Sequence, residues 1–200
     1  MNPEISIVAP VFNEEENIQL LVSAIYRGVK DIGCSYECIL VDDGSTDGSR
    51  LKIETVCAEN EHFRMVSLAK NYGQTAALDA GFKAASGKYI VMMDADLQNN
   101  PRDIKLLLEN IDGFDMVYGC RLNRKDSFVK RVSSKIGNYV RNKLTNENIR
   151  DTGCSLKIFR RECLNKIKLY NGMHRFLPTL FKIEGFSIKE VEVQHQRRLY

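Results

Sequence analysis

This 200-residue sequence predicts an α/β fold, a mostly parallel central sheet with helices on both faces, and three observations predict it. Strand-like and helix-like segments alternate through the first half of the chain, the pattern of βαβ units. Three strand-like segments end in polar clusters, at Pro10 to Glu14, Asp42 to Asp47 and Asp94 to Gln98, and ligands of such sheets bind at the carboxyl ends of the strands. A hydrophobic content of 44% is enough to bury one core and does not suit a disordered chain.

Taken in order, Ile5-Ser6-Ile7-Val8-Ala9-Pro10-Val11 reads as the first strand. A helix is expected to open near Asn13, where Glu14, Glu15 and Glu16 in its first turn suit the helix dipole. Cys38 to Val41 reads as the second strand, a helix from about Thr46 to Asn60 follows, and Phe63 to Leu68 reads as the third strand. Gln74 to Ala85 is expected to be helical, and the apolar run from Tyr89 to Met93 is a fourth, buried strand. Beyond Pro101 the pattern predicts a short helix over Asp103 to Asn110 and a strand at Met116-Val117-Tyr118, leading to Gly119-Cys120-Arg121. A basic helix or pair of helices comes next, then a polar junction at Asp151-Thr152-Gly153-Cys154-Ser155 before the strand-like Leu156-Lys157-Ile158-Phe159. A helix from Phe176 to Ile183 and a strand from Ser187 to Gln194 complete the series. With no repeat, low-complexity tract or linker, residues 1–200 are expected to form a single domain.

The apolar run of the fourth strand stops at two carboxylates one residue apart, Asp94 and Asp96, with an amide at Gln98. Hard oxygen donors at a strand tip suit a divalent cation such as Mg2+ or Mn2+ that keeps positions open for phosphate, and a pyrophosphate is the natural guest. A plain polar turn is the ordinary alternative.

Charge is distributed unevenly. Residues 121–150 hold nine Lys or Arg against Asp126 and Glu147, while the rest of the chain holds 20 of the 29 basic and 24 of the 26 acidic residues. That segment favours an anionic partner, either ligand phosphates or a lipid headgroup surface, with a solvated helix face as the ordinary alternative. Few aromatics interleave the basic residues and no binding module is recognisable, which argues against nucleic acid. Met1-Asn2-Pro3-Glu4 lacks the basic flank and apolar core of a secretory signal, and no run approaches the ~18 apolar residues of a membrane span. The chain itself is therefore expected to be soluble and cytoplasmic, and its six scattered cysteines to be reduced. Cys34, Cys38, Cys57 and His62 can be forced into a zinc pattern, but Cys38 falls within a strand and ordinary packing explains it better.

Ile7-Val8-Ala9-Pro10-Val11-Phe12-Asn13-Glu14, Val41-Asp42-Asp43-Gly44-Ser45-Thr46-Asp47, Asn71-Tyr72-Gly73 and Met93-Asp94-Ala95-Asp96-Leu97-Gln98 stand in an order that resembles family 2 glycosyltransferases. Asp94-Ala95-Asp96-Leu97-Gln98 and Asp151-Thr152-Gly153-Cys154-Ser155-Leu156-Lys157 are most similar to the polyprenyl-phosphate branch, which includes dolichol-phosphate mannose synthases and bacterial undecaprenyl-phosphate glycosyltransferases. The resemblance covers the whole chain.

It implies a GT-A, Rossmann-like fold with a nucleotide-binding half over about 1–98 and an acceptor half over about 99–200. It also implies a nucleoside diphosphate sugar donor, UDP- or GDP-linked, a divalent cation (Mg2+ or Mn2+) and inversion at the anomeric carbon. Matched by position, Pro10, Phe12, Glu14, Val41 and Asp43 surround the base and ribose, while Asp94, Ala95, Asp96 and Gln98 lie at the metal and diphosphate. Arg121 and Arg131 face donor or acceptor phosphate, where a planar guanidinium binds oxygens two at a time. Asp151, Arg175 and Arg198 are looser matches near the acceptor, and Asp96, Arg121, Arg131 and Asp151 are the expected catalytic group. Members of the branch usually continue past an Arg-rich strand into membrane helices, whereas this sequence stops at His195-Gln196-Arg197-Arg198-Leu199-Tyr200. It therefore looks like the catalytic domain of a longer protein on the cytoplasmic face of a membrane, meeting that surface through the 121–150 segment and whatever follows.

Cleaving a sugar from a diphosphate leaves charge on the departing phosphate, which a metal and cationic side chains stabilise where it develops. A polyprenyl phosphate acceptor is already an anion and needs little deprotonation, which fits the lack of an outstanding base among His62, His174 and His195. Two alternatives stay open. A saccharide or protein hydroxyl acceptor would need a carboxylate base, with Asp151 the candidate, and a noncatalytic nucleotide-sugar binding module would keep the fold without turnover.

Overall fold

A computed structural model describes residues 2–30, 32–121 and 149–196. Seven strands form one sheet: β1 (Ile5–Val11), β2 (Tyr36–Asp42), β3 (Phe63–Ser67), β4 (Tyr89–Met92), β5 (Met116–Arg121), β6 (Lys157–Arg160) and β7 (Ile188–Val193), in the order β3-β2-β1-β4-β6-β5-β7. Pairing is parallel throughout except at β6, which runs against both β4 and β5. The register Lys157↔Met92 sets the leading end of β6 beside the trailing end of β4.

Successive residues of each strand enter opposite cores, as a strand covered on both faces requires. Ile5, Ile7, Leu40 and Val91 pack with α1 (Ile18–Val29), α2 (Ser49–Glu59) and α4 (Asp103–Glu109), through Leu21, Ile53 and Ile104 among others. Val8, Ile39, Ile90 and Phe159 pack on the other face with α3 (Gln74–Ala84) and α5 (Leu177–Ile183), where Phe159 meets Phe82 and Phe181 edge to face. Gly81 lets α3 lie close against the sheet, because a Cβ there would lie 2.4 Å from Val8 Cγ1. The mostly parallel sheet with helices on both faces is thus as the sequence predicts.

Two helix starts differ from the expected ones. The first helix opens at Ile18 rather than near Asn13, and its first turn holds no acidic residue. Glu14, Glu15 and Glu16 lie in a loop instead, because Asn13 takes a left-handed backbone (φ 53°) and the loop's amides are drawn to β2's loop. The Glu14 N–H donates to Ser49 Oγ at 2.9 Å and the Glu15 N–H to Asp47 Oδ2 at 3.2 Å. The same cross-links hold residues 46–48 out of α2, which begins at Ser49 rather than Thr46. The expected basic helices fall almost wholly within 122–148, outside the described residues.

Candidate functional site

A cleft of about 300 Å³ opens at the carboxyl ends of β1, β2 and β4, lined by Pro10, Val11, Phe12, Glu14, Asp43, Asn71, Gly73, Gln74, Asp94, Ala95 and Asp96. The three polar strand ends therefore converge. They do so because β1 lies between β2 and β4, all three run in one direction, and each carries its polar residues just past its last paired position.

The walls of the cleft are hydrogen-bonded loops. Asn13 Oδ1 accepts the Thr46 N–H at 2.8 Å, and the Asn13 N–H donates to Ser45 Oγ at 3.1 Å. Asp42 Oδ1 accepts the Ser45 N–H at 3.0 Å, closing the turn of Asp42-Asp43-Gly44-Ser45. Gly44 is required in that turn twice over: its φ is 69°, and a Cβ would meet the Lys70 carbonyl carbon at 2.3 Å. The close approach lets Asp43 reach the next loop, where Oδ1 accepts the Tyr72 N–H at 2.8 Å and Oδ2 the Gly73 N–H at 2.9 Å. Gly73 (φ 91°) then starts α3 against the cleft, so the partial positive charge of that helix end is directed at the site.

Asp94 and Asp96 share the opposite wall. Burial raises the Asp94 pKa, the neighbouring Asp96 charge raises it further, and hydrogen bonds from Ser155 and Gln74 together with the Lys157 charge oppose the rise. Leu97 between Asp96 and Gln98 is left-handed (φ 61°), strain of the kind that concentrates at functional sites. The turn is closed by the Gln98 N–H, which donates to Asp96 Oδ1 at 3.1 Å. Among the described residues no group of three or more His, Cys, Asp or Glu side chains gathers to hold a metal. The protein therefore offers two carboxylates in a cleft, a set that fits Mg2+ or Mn2+ completing its shell with water and phosphate oxygens, and does not suit an all-protein cage. Gln98 does not line the cleft.

Other expected residues are placed elsewhere. Val41 is fully buried, packed under α3 near Gly81, and does not line the cleft. Arg121 and Asp151 are joined to each other: Arg121 Nε donates to Oδ2 at 2.7 Å and Nη2 to Oδ1 at 2.9 Å. Neither is among the residues lining the cleft. Arg150, also from the basic segment, pairs with Glu190 and Glu192 on β7. Arg175 is exposed on a 3-10 turn, Met173–Phe176, that packs by α3. Arg131 and Arg198 lie outside the described residues.

Two residues near the site, Gln74 and Lys157, were not singled out from the sequence. Gln74 follows the Asn71-Tyr72-Gly73 motif directly, and its Nε2 donates to Asp94 Oδ1 at 2.7 Å. Lys157 is fully buried on β6, with Nζ donating to the Cys154 carbonyl. Burial lowers its pKa, and the Cys154, Asp94 and Asp151 groups act the other way. His174 is buried with Nδ1 2.7 Å from Thr75 Oγ1, and Thr75 Oγ1 accepts the Gly172 N–H at 2.9 Å. Burial first, then the Arg175 and Lys157 charges, lower the His174 pKa to about 4, which makes it a neutral structural group rather than a cationic phosphate ligand.

Fold and cleft together define an α/β protein with its site at the carboxyl ends of parallel strands, and the comparisons narrow it. Residues 6–168 match the model of glycosyl transferase family 2, and the chain belongs to that family. It is similar to dodecaprenyl-phosphate galacturonate synthase of Rhizobium johnstonii, at 38% identity over 98% of this chain and 60% of that protein. It is also similar to undecaprenyl-phosphate 4-deoxy-4-formamido-L-arabinose transferase of Proteus mirabilis, at 36% identity over 98% of this chain and 61% of that protein. The chain thus spans about three fifths of the length of these curated relatives. Among solved structures, glucosyl-3-phosphoglycerate synthase from Mycobacterium tuberculosis in complex with Mn2+ and UDP-glucose matches with a TM-score of 0.74 at 22% identity, over 98% of this chain and 72% of that one. The fold is the GT-A fold that the resemblance implied.

Proposed function

We propose that the protein moves a sugar from a nucleoside diphosphate donor to a polyprenyl phosphate, with inversion at the anomeric carbon and with Mg2+ or Mn2+ held at Asp94 and Asp96. The observation that carries this reading is the single cleft in which Phe12 and Asp43 stand on one side and Asp94 and Asp96 on the other. A base and ribose fit against Pro10, Phe12, Glu14 and Asp43. The diphosphate then lies between the N-terminal end of α3 and the two carboxylates. Both curated relatives carry a polyprenyl phosphate in their names, and the structural relative was crystallised with Mn2+ and a UDP-sugar.

The cation would supply charge neutralisation for the leaving diphosphate. On the protein side, the first turn of α3 adds partial positive charge there, and the loops tied together by Asp43 and Asn13 fix the cleft before the donor arrives. A phosphate acceptor attacks as an anion, so no group has to remove a proton. The two oxygens of Asp151, both engaged by Arg121, are in keeping with an acceptor that needs no base. Arg131, Arg175 and Arg198 are proposed to meet the acceptor phosphate. Among the described residues no helix is long and apolar enough to cross a membrane, and contact with the cytoplasmic face of the membrane is proposed to run through the basic 121–150 segment.

The test is transfer of radiolabelled sugar by the full-length protein, with UDP- and GDP-linked donors, to undecaprenyl phosphate and to free saccharides in parallel. Label is expected in the lipid, in the presence of Mg2+ or Mn2+, and Asp96→Ala is expected to abolish transfer while the far-ultraviolet circular dichroism stays unchanged. Undiminished turnover by Asp96→Ala would remove the metal assignment, and label in saccharide alone would remove the lipid acceptor.

A further inference from the structure

Asp94 is half-buried and lines the cleft beside a second carboxylate. A carboxylate in that position serves a cation only if its oxygens are aimed, and the groups that aim it belong to the site as much as the carboxylate does. Two flanks of the fold supply such groups. From α3, Gln74 Nε2 donates to Asp94 Oδ1 at 2.7 Å. From the loop before β6, the Ser155 hydroxyl favours the ionised form of Asp94.

Ser155 is itself held. Asn99 Nδ2 donates to Ser155 Oγ at 2.6 Å in a buried pair. Asn99 Oδ1 accepts from Cys154 Sγ at 3.7 Å, and the Asn99 backbone forms an antiparallel bridge with His195. Buried Lys157 ties the same loop down through the Cys154 carbonyl. Asn99, Cys154, Ser155 and Lys157 thus form a braced ledge under one side of Asp94, while Gln74 holds the other side.

We propose that Gln74 and Ser155 are positioning residues for Asp94, holding its carboxylate in one orientation toward the cleft, with Asn99 setting the hydroxyl of Ser155. The proposal rests on the reading of Asp94 as a cation-binding residue. Both donors are uncharged, so they fix the carboxylate without cancelling the charge that attracts the cation. A lysine or arginine at position 74 would fix it equally well and compete with the metal. Buried Lys157, whose charge Asp94 feels, has its ammonium committed to a carbonyl instead.

The test is Mn2+ alone, titrated into the metal-free full-length protein and followed by the electron paramagnetic resonance of free Mn2+, so that no turnover is read. Gln74→Ala is expected to raise the Mn2+ dissociation constant about tenfold, the low end of what loss of an outer-sphere partner produces. Ser155→Ala is expected to move it in the same direction and Ser155→Thr, which keeps the hydroxyl, to restore it. Melting temperatures of the alanine variants are expected to match wild type, because alanine is a good residue for the start of a helix and Ser155→Ala removes a single hydroxyl. Wild-type Mn2+ affinity in both alanine variants would overturn the proposal, including the case in which the donor KM of Gln74→Ala rises, since the amide would then contact the donor directly. If wild type binds no Mn2+, the cation reading of Asp94 falls, and the positioning roles fall with it.

Discussion

Arg121 and Asp151 meet at two points, Nε to Oδ2 at 2.7 Å and Nη2 to Oδ1 at 2.9 Å, with side chains only 13% and 5% exposed. The Arg121 N–H adds a third contact to Oδ2 at 3.2 Å. The pair fastens the end of β5 to the junction that leads into β6. Removing either partner takes two charge-assisted hydrogen bonds from a buried group, so Arg121→Ala is expected to destabilise the fold by about 3–5 kcal/mol in urea denaturation. Replacing both with apolar residues of similar volume, Arg121→Met with Asp151→Leu, is expected to recover most of that loss. Strictly additive single and double variants would show that the pair is not coupled.

Gly81 carries the contact between α3 and the sheet. Alanine is the better helix former, yet at this position its methyl has no room, since the Val8 and Val41 methyl groups lie 2.4 and 2.9 Å from the site of a Cβ. Gly81→Ala is expected to lower stability by about 1–3 kcal/mol, the range for overpacked cores. A stability equal to or above wild type would mean that α3 can shift at no cost.

His174 makes stability depend on pH near neutrality. An unfolded histidine takes up its proton near 6.5, whereas the folded one resists until about 4. Between those values the unfolded chain binds more protons, so stability present above pH 6.5 is lost as the pH falls toward 4. Melting temperatures measured across that window are expected to decline in wild type and to decline less in His174→Gln.

Glu37 acts in a lower window. Burial alone would raise its pKa, but hydrogen bonds from Ser6, Ser86 and Arg64 outweigh burial and bring it to about 2 from 4.5. Its contribution is therefore complete above pH 4.5 and is lost as the pH falls toward 2. Glu37→Gln is expected to flatten the decline below pH 4.5 and to leave the decline between 6.5 and 4.5 in place. A flat wild-type profile below pH 4.5 would contradict the ionised state of Glu37.

The elements that place the cleft were legible because each announces itself locally. The apolar runs at Cys38 to Val41 and Tyr89 to Met93 have two buried faces, and Asp42-Asp43-Gly44 and Asp94-Ala95-Asp96 stop them abruptly. What was not legible depends on partners far along the chain. The acidic run Glu14 to Glu16 looks like a first helical turn until Ser49 and Asp47, more than thirty residues on, take its amides. Lys157 looks like the polar member of an alternating strand, yet it is fully buried because both faces of the sheet are covered. Arg121 and Asp151 look like two separate ligands until the return of β6 joins them. Gln74 had one local signal, its place directly after Asn71-Tyr72-Gly73, and that motif had been given no side-chain role.

The antiparallel course of β6 also bears on the order in which the molecule can be completed. β4 is paired to β1 early in the chain, but its other edge stays open until residues 157–160 have been made and slipped between β4 and β5. A nascent chain that ends before Ser155 has Asp94 without the ledge beneath it and an unpaired strand edge exposed to other chains. The two carboxylates belong to the last stretch of the cleft lining to be synthesised, and the strand that closes the sheet beside β4 follows later still, so the finished cleft waits on the pairing of β6.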